Sequence, residues 1–435
     1  MNFIHGKPQE TERAAREVTI ARETLARRYQ TVREMSEALC RPLAPDDYGL
    51  QAVPDVSPAK WHLAHTSWFF ETFLLKPFLS GYRPFHPQFE TLFNSYYEQV
   101  GAPFPRPQRG LLSRPTTEEV FRYRAYVNEA MAALFTAADE ANWPEIAARS
   151  ELGCQHEQQH QELFLTDIKY NFSINPLKPA YRSDLPVTPA GGSAPLQWLE
   201  QPGGMQKIGH GGNGFAFDNE SPRHRLLLAS YALSSRLVTN GEYLEFMAAG
   251  GYRRPEYWLA DGWRVAHERN WRAPLYWEKS DGRWWQFTLG GMRALNEHEP
   301  VCHVGFYEAD AYARWAGKRL PSEDEWEASA RLESARGNLR ETGYLHPIPV
   351  QSGAAPSQLF GDVWEWTRSA YAPYPGYRPS AGALGEYNGK FMVNQLVLRG
   401  GSCVTPADHI RASYRNFFYP ADRWQFSGIR LADDL

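Results

Sequence analysis

One Pro-, Gly- and Ser-rich stretch, NPLKPAYRSDLPVTPAGGSAP (residues 175–195), divides the sequence into two halves with different periodicities. Prolines lack a backbone N–H and glycines lack a side chain, so no long helix or central strand runs through such a stretch. Before it, the chain is written in helices. Residues from about 9 to 40 carry strong helix formers with apolar residues three and four apart. A second helix is expected at VSPAKWHLAHTSWFFETFLL, with Ser57 as its cap and Pro58 in its first position, where a missing N–H costs nothing. A third opens TTEEVFRYRAYVNEAMAALF, with Thr116 and Glu119 at capping-box spacing. A fourth runs from about Pro144 through HEQQHQELFLTDIKY. Four helices of this length predict an antiparallel bundle, which can present metal ligands from facing helices. After the break the pattern changes. Only Trp61, Trp68 and Trp143 of the 15 Trp precede residue 185, and short strand-like runs (HRLLLASYAL, RWWQFTL) alternate with turns. TNGEYLEFMAAG and VGFYEADAYARWAG interrupt them as helices. The sequence thus predicts an α+β protein of two domains, residues 1–185 and 186–435.

The formal net charge is -4 and no long run of Lys or Arg occurs, so neither nucleic acid nor a membrane surface is an expected partner. No run of about 18 apolar residues is present to cross a bilayer. The N-terminus, MNFIHGKPQETERAAREV, is polar and charged rather than secretory. Cys40, Cys154, Cys302 and Cys403 are scattered without a C-x-x-C pair, which predicts free thiols in a reducing cytoplasm. Nothing in the sequence specifies an oligomeric state.

The segment HEQQH, His156 to His160, fits the H-E-x-x-H pattern of zinc proteases. His156 and His160 are four apart on a predicted helix and share a face, with Gln159 beside them. On the second predicted helix His62 and His65 are three apart, and a bundle can bring one of them against that face. A pair of hydrogen-bonded core histidines is the plainer alternative; spacing, helix and a third His together favour a metal. Protease chemistry fits poorly. The extended pattern fails at Leu163 and Thr166, and Glu157 is expected as a solvated helix position beside two ligands. Three neutral imidazoles leave the charge of a dipositive ion uncompensated, which favours an anionic ligand such as a thiolate. Imidazole suits Fe(II) as well as Zn(II), and spacing does not choose between them. A non-catalytic bundle holding structural zinc is the alternative from another class, although structural zinc normally has four protein ligands.

The motifs SPAKWHLAHTSWFFETFLL and HEQQHQELFLTDIKYNF, followed by GDVWEWTRSAY, LRGGSC and ASYRNFFYPADRWQFSGIRLA, together resemble the EgtB family of ergothioneine-forming sulfoxide synthases. The resemblance runs from about residue 20 to the end. It implies a DinB-like four-helix bundle that carries the metal. A formylglycine-generating-enzyme-like (sulfatase-modifying-factor) domain, related to C-type lectin folds, follows and completes the substrate site. It implies a non-heme, Fe(II)- and O2-dependent oxygenase. Such an enzyme joins the sulfur of a cysteine derivative to imidazole C2 of hercynine (Nα-trimethylhistidine), and a sulfoxide results.

The iron ligands implied are His65, His156 and His160, with His62 a neighbour in the helix. Gln159 matches a glutamine that hydrogen-bonds the substrate imidazole, and Asn416 an asparagine at the hercynine end. Phe417 and Phe418 offer faces to a trimethylammonium group, or pack as core. Some members carry an acidic residue where Phe418 stands and use γ-glutamylcysteine. Its loss makes free cysteine the expected donor and γ-glutamylcysteine the alternative. Arg106 and Arg109 resemble a substrate-binding pair whose planar forks suit a carboxylate, against the plainer alternative of a solvated Pro-rich loop. O2 activation beside bound sulfur needs a proton or hydrogen-atom donor without permanent charge. In the cysteine-using type Tyr96 and Tyr97 are that source, ahead of Tyr387. Adjacent tyrosines on a regular backbone diverge, so one of the two is expected to reach the oxygen. Two rivals rank lower. Ovothiol-type synthases, which attack C5 of unmethylated histidine, usually append a methyltransferase domain, whereas this sequence stops at Leu435 after GIRLA. A copper-dependent formylglycine generator needs two close cysteines late in the chain, where Cys403 is alone.

Overall fold

The computed structural model describes residues 7–189, 191–212, 214–331, 333–350 and 356–435, residues 7–18 by their backbone alone. The chain forms two compact units, Met1–Phe164 and Leu165–Leu435.

The first unit is helical. Its elements are α1 (Lys7–Cys40), α2 (Ala59–Phe70), the short α3 (Lys76–Phe78) and α4 (Phe89–Phe93), α5 (Thr117–Ala137) and α6 (Trp143–Ile174), whose last turns belong to the second unit. The expected capping box forms at α5: Thr116 Oγ1 accepts from the Glu119 N–H at 3.2 Å, and the Glu119 carboxylate accepts from the Thr116 N–H at 2.7 Å. α2 begins differently from expectation. Pro58 takes the cap position and Ala59 starts the helix. The Ser57 hydroxyl accepts from Arg109 Nη1 at 3.0 Å, which ties the start of α2 to the loop that precedes α5.

α2 has almost no solvent face: Trp61, Leu63, Ala64, Trp68, Phe69 and Phe70 are all buried. A helix buried on nearly all sides, polar residues His62, His65, Thr66 and Ser67 included, belongs inside a bundle. It continues into a π turn, Glu71–Leu75. The buried Glu71 there accepts from Tyr82 and Tyr123 hydroxyls at 2.7 and 2.8 Å. Gly153 lets α6 approach α2, since a Cβ there would lie 2.4 Å from Phe70 Cε1.

The second unit is mixed. β1 (Trp198–Gln201), β4 (Tyr231–Ser234) and β12 (Ala432–Asp434) form an antiparallel sheet with β4 central. β2 (Gly204–Ile208) pairs with β3 (His224–Leu228), and β5 (Trp277–Ser280), β6 (Arg283–Thr288) and β7 (Gly291–Ala294) form a meander. β10 (Asn416–Phe418), β9 (Leu396–Arg399), β8 (Trp364–Ala370) and β11 (Ser427–Gly428) lie in that order in a fourth sheet, β11 parallel to β8. The helices are α7 (Asn240–Ala248), α8 (Ala260–Glu268), α9 (Phe306–Trp315) and α10 (Glu323–Ala330). α8 is a helix that the sequence pattern does not predict. Its Gly262 weakens the helical pattern, yet a Cβ there would meet Tyr307 Cγ at 2.7 Å.

Six of the twelve tryptophans of the second half are buried in the core and six are half-buried. Trp326, Trp364 and Trp366 are buried, and two of their indoles find acceptors, Trp326 in Glu365 at 2.7 Å and Trp366 in the Val304 carbonyl at 2.8 Å. Glu365 is held in turn by Arg430 at 2.8 Å. The fold is α+β. Among the described residues no helix is long and apolar enough to cross a membrane.

Candidate metal centre

α2 delivers His65 and α6 delivers His156 and His160, and their ligand nitrogens lie within 4.8 Å of one another. His65 Nε2 and His156 Nε2 are 3.3 Å apart, close to the spacing of two adjacent nitrogens each about 2.1 Å from one ion. His65 Nδ1 donates to the Phe93 carbonyl at 2.5 Å, so Nε2 carries the lone pair. Trp61 stacks on the His65 ring at 4.5 Å, and Trp68 stacks at 5.5 Å. Burial, and then the neighbouring His156, holds His65 and His160 well below the usual imidazole range. Burial lowers His156 to about 3. Three neutral, converging imidazoles, one with its tautomer fixed by a carbonyl, are the donor set a divalent transition-metal ion requires. No carboxylate belongs to this group.

Glu157 corrects the expectation of a solvated position. It is fully buried, accepting from Arg33 Nη1 at 2.9 Å, Arg124 Nη2 at 3.0 Å and the Ser36 hydroxyl at 2.6 Å. Burial raises its pKa, but the two guanidinium charges outweigh that and hold it below the ordinary carboxylate range. Arg124 also donates to the Leu63 carbonyl and Thr66, and Arg33 to Ser67 and Asn128. One carboxylate thus knots α1, α2, α5 and α6 together beside the histidines. A protease base would need that carboxylate at the metal.

The other expected residues divide. Gln159 is half-buried on α6 between His156 and His160. Arg109 is buried rather than solvated, with its guanidinium 3.5 Å above Trp61, and its charge helps to depress His65 and His160. Arg106 parts from it. That side chain is exposed and donates to the Asp55 carbonyl. Tyr96 and Tyr97 do not diverge: their rings stack at 4.6 Å and 26°. The loop is irregular there, pinned by Asn94, which accepts from the Tyr97 N–H at 3.0 Å and donates to the Gly101 carbonyl at 2.7 Å. Tyr97 is fully buried against Trp68 and Phe73, and Tyr96 is half-buried.

In the second unit, Asn416, Phe417 and Phe418 form β10 and are half-buried. Phe417 stacks on Tyr371 at 4.0 Å, and Phe418 meets Trp424 edge-on at 5.9 Å. Tyr387 is buried and stacked on Phe217. All four cysteines are free and buried, and burial pushes Cys302 up to about 12, far from a thiolate nucleophile. Trp61, Trp68 and the Phe93 carbonyl join the site without being expected there. The first two carry a usable signal, four residues before and three after His65 on one helix. The carbonyl carries none.

Residues 28–164 match the DinB superfamily, and residues 196–347 and 350–435 match the sulfatase-modifying factor enzyme 1-like domain. The chain is 33% identical to the hercynine oxygenase of Mycolicibacterium smegmatis, across 96% of this chain and 100% of that protein. It is 31% identical to the hercynine oxygenase of Mycobacterium tuberculosis, across 88% of this chain and 92% of that protein. The formylglycine-generating enzyme of Streptomyces coelicolor is 28% identical across 54% of this chain and 88% of its own. With a DinB bundle, a sulfatase-modifying-factor unit and relatives that span it almost end to end, the chain belongs to the EgtB-type hercynine oxygenases, the sulfoxide synthases of ergothioneine biosynthesis.

Proposed function

We propose that this protein joins the sulfur of L-cysteine to imidazole C2 of hercynine, using Fe(II) and O2, and releases hercynylcysteine sulfoxide. The observation that carries the reading is the cluster of three neutral imidazoles without a carboxylate, in a chain so similar to hercynine oxygenases. His65, His156 and His160 would hold the iron, which supplies open coordination positions and O2 chemistry when bound. A ligand set without charge leaves room for one anion, and the cysteine thiolate is that anion. Arg109 and Arg106 receive the cysteine carboxylate. The burial of Arg109 and its electrical effect on the histidines support the assignment more than the exposed Arg106 does.

Gln159 bonds the hercynine imidazole, Asn416 its other end, and Phe417 and Phe418 face its trimethylammonium group. Tyr96 or Tyr97 delivers the proton or hydrogen atom. Phe418 offers no charge to the ammonium of a γ-glutamyl group, which supports free cysteine as donor. In this reading residues 1–185 carry the metal and residues 186–435 contribute to substrate binding. Four free thiols suit a reducing cytoplasm.

The test is anaerobic reconstitution with Fe(II), then O2 and mass spectrometry with hercynine plus cysteine or γ-glutamylcysteine. Sulfoxide from cysteine is expected. Product from γ-glutamylcysteine alone overturns the donor, and no sulfoxide from either overturns the function.

A further inference from the structure

His62 stands outside the three converging ligands, yet its Nδ1 lies 2.9 Å from His160 Nδ1. It is buried on α2, three residues before His65, so one helix supplies both a ligand and the neighbour of a ligand on α6. A hydrogen bond between two imidazole nitrogens needs one N–H and one lone pair. With the N–H on His160 Nδ1, His160 Nε2 is bare, the same arrangement that the Phe93 carbonyl imposes on His65. A cavity of about 10 Å³, lined by Ser36, Cys40, Thr66, Gln161 and both rings, adjoins the pair. The His65 and His156 rings pack against the His160 ring at 4.6 Å each, and the hydrogen bond to His62 adds the one directional contact to its Nδ1.

We propose that His62 is a positioning residue, accepting the Nδ1–H of His160 and thereby setting Nε2 as the ligand nitrogen. It does so without charge. A carboxylate in the same place would orient the ring equally well but would put a negative charge within reach of the ion. That charge would compete with the anionic substrate ligand. An imidazole orients the ligand and leaves the charge of the centre intact for a thiolate.

The proposal rests on His65, His156 and His160 being metal ligands, and the test separates the two claims. The full-length, metal-free protein is titrated anaerobically with Co(II), whose visible spectrum reports ligand geometry without turnover. His62→Phe is expected to weaken Co(II) binding about 10–100-fold, the usual cost of losing a partner behind a ligand, and to change the spectrum. His62→Asn keeps an acceptor and is expected to restore both. His62→Asp is expected to bind Co(II) well but to need several-fold more cysteine for its thiolate-to-metal band. Affinity and spectrum unchanged in His62→Phe overturn the positioning role, and an unchanged cysteine requirement in His62→Asp overturns the charge argument. Histidine-labelled, Zn(II)-loaded wild type gives a reading that depends on no variant folding. Its nitrogen spectrum should show His160 protonated at Nδ1, and the opposite tautomer overturns the proposal. Wild-type protein that takes up no Co(II) overturns the ligand assignment itself, and the role of His62 with it.

Discussion

Glu157 Oε1 accepts a hydrogen bond from Arg124 Nη2 at 3.0 Å, between two side chains that solvent does not reach. The contact turns the acidic residue of HEQQH away from its flanking histidines. Removing one partner from a buried pair leaves the other as an uncompensated charge, and here two arginines would be stranded. Glu157→Gln is therefore expected to lower the unfolding free energy of the metal-free protein by about 3–5 kcal/mol in urea denaturation. Metal stoichiometry of the folded fraction should stay at the wild-type level. A variant as stable as wild type but empty of metal would return Glu157 to the metal site.

Gly153 makes a different kind of demand. A methyl group there would overlap the Phe70 ring, so Gly153→Ala is expected to cost about 1–3 kcal/mol of stability despite the better helix propensity of alanine. Phe70→Leu in the same chain should recover part of that loss. Additive effects in the double-mutant cycle would mean that the two residues do not press on each other.

The stacked tyrosines predict a change of product rather than a simple loss of rate. Removing the hydroxyl proposed as donor, by Tyr96→Phe or Tyr97→Phe, is expected to shift turnover from sulfoxide towards oxidised cysteine by about tenfold or more. The ratio of the two products, read by mass spectrometry, checks this. Unchanged ratios in both variants would remove the pair from the reaction.

Asp362 gives the second unit a pH dependence. Burial pushes its pKa up to about 7, although Oδ1 accepts from Asn338 Nδ2 at 2.8 Å and the Ile348 N–H at 2.9 Å. The folded chain holds a proton there that the unfolded chain releases from about pH 4 upward, so this stabilising contribution declines between those values and is gone above pH 7. Asp362→Asn keeps the acceptor and suits the left-handed backbone at φ 56°. It is expected to be more stable than wild type by ~3 kcal/mol at pH 7, with the difference shrinking towards pH 5. Parallel melting curves at pH 5, 6, 7 and 8, with a constant gap, would sink the assignment.

What the sequence discloses follows the range of the interaction. The bundle helices, the Thr116–Glu119 cap and the shared face of His156 and His160 are set within a few residues, and they are legible. Ser57 looks like a cap, yet Pro58 takes that position and the Ser57 hydroxyl accepts from Arg109, 52 residues away. Glu157 looks solvated because Arg33 and Arg124 arrive from other helices. Tyr96 and Tyr97 would diverge on a regular backbone, and they stack because Asn94 bends the loop. Each of these three is a polar or aromatic side chain whose partner periodicity cannot reveal.

The central strand β4 pairs on one side with β1 and on the other with residues 432–434. Nearly two hundred residues must be translated between the two partners of that second pairing, which takes roughly 10–40 s at ordinary elongation rates. For that interval β4, entirely buried in the finished unit, has one bare hydrogen-bonding edge. The sheet therefore cannot close during synthesis of its own first strands. Through most of the unit's synthesis β4 therefore carries one unpaired edge, which only residues 432–434 later cover.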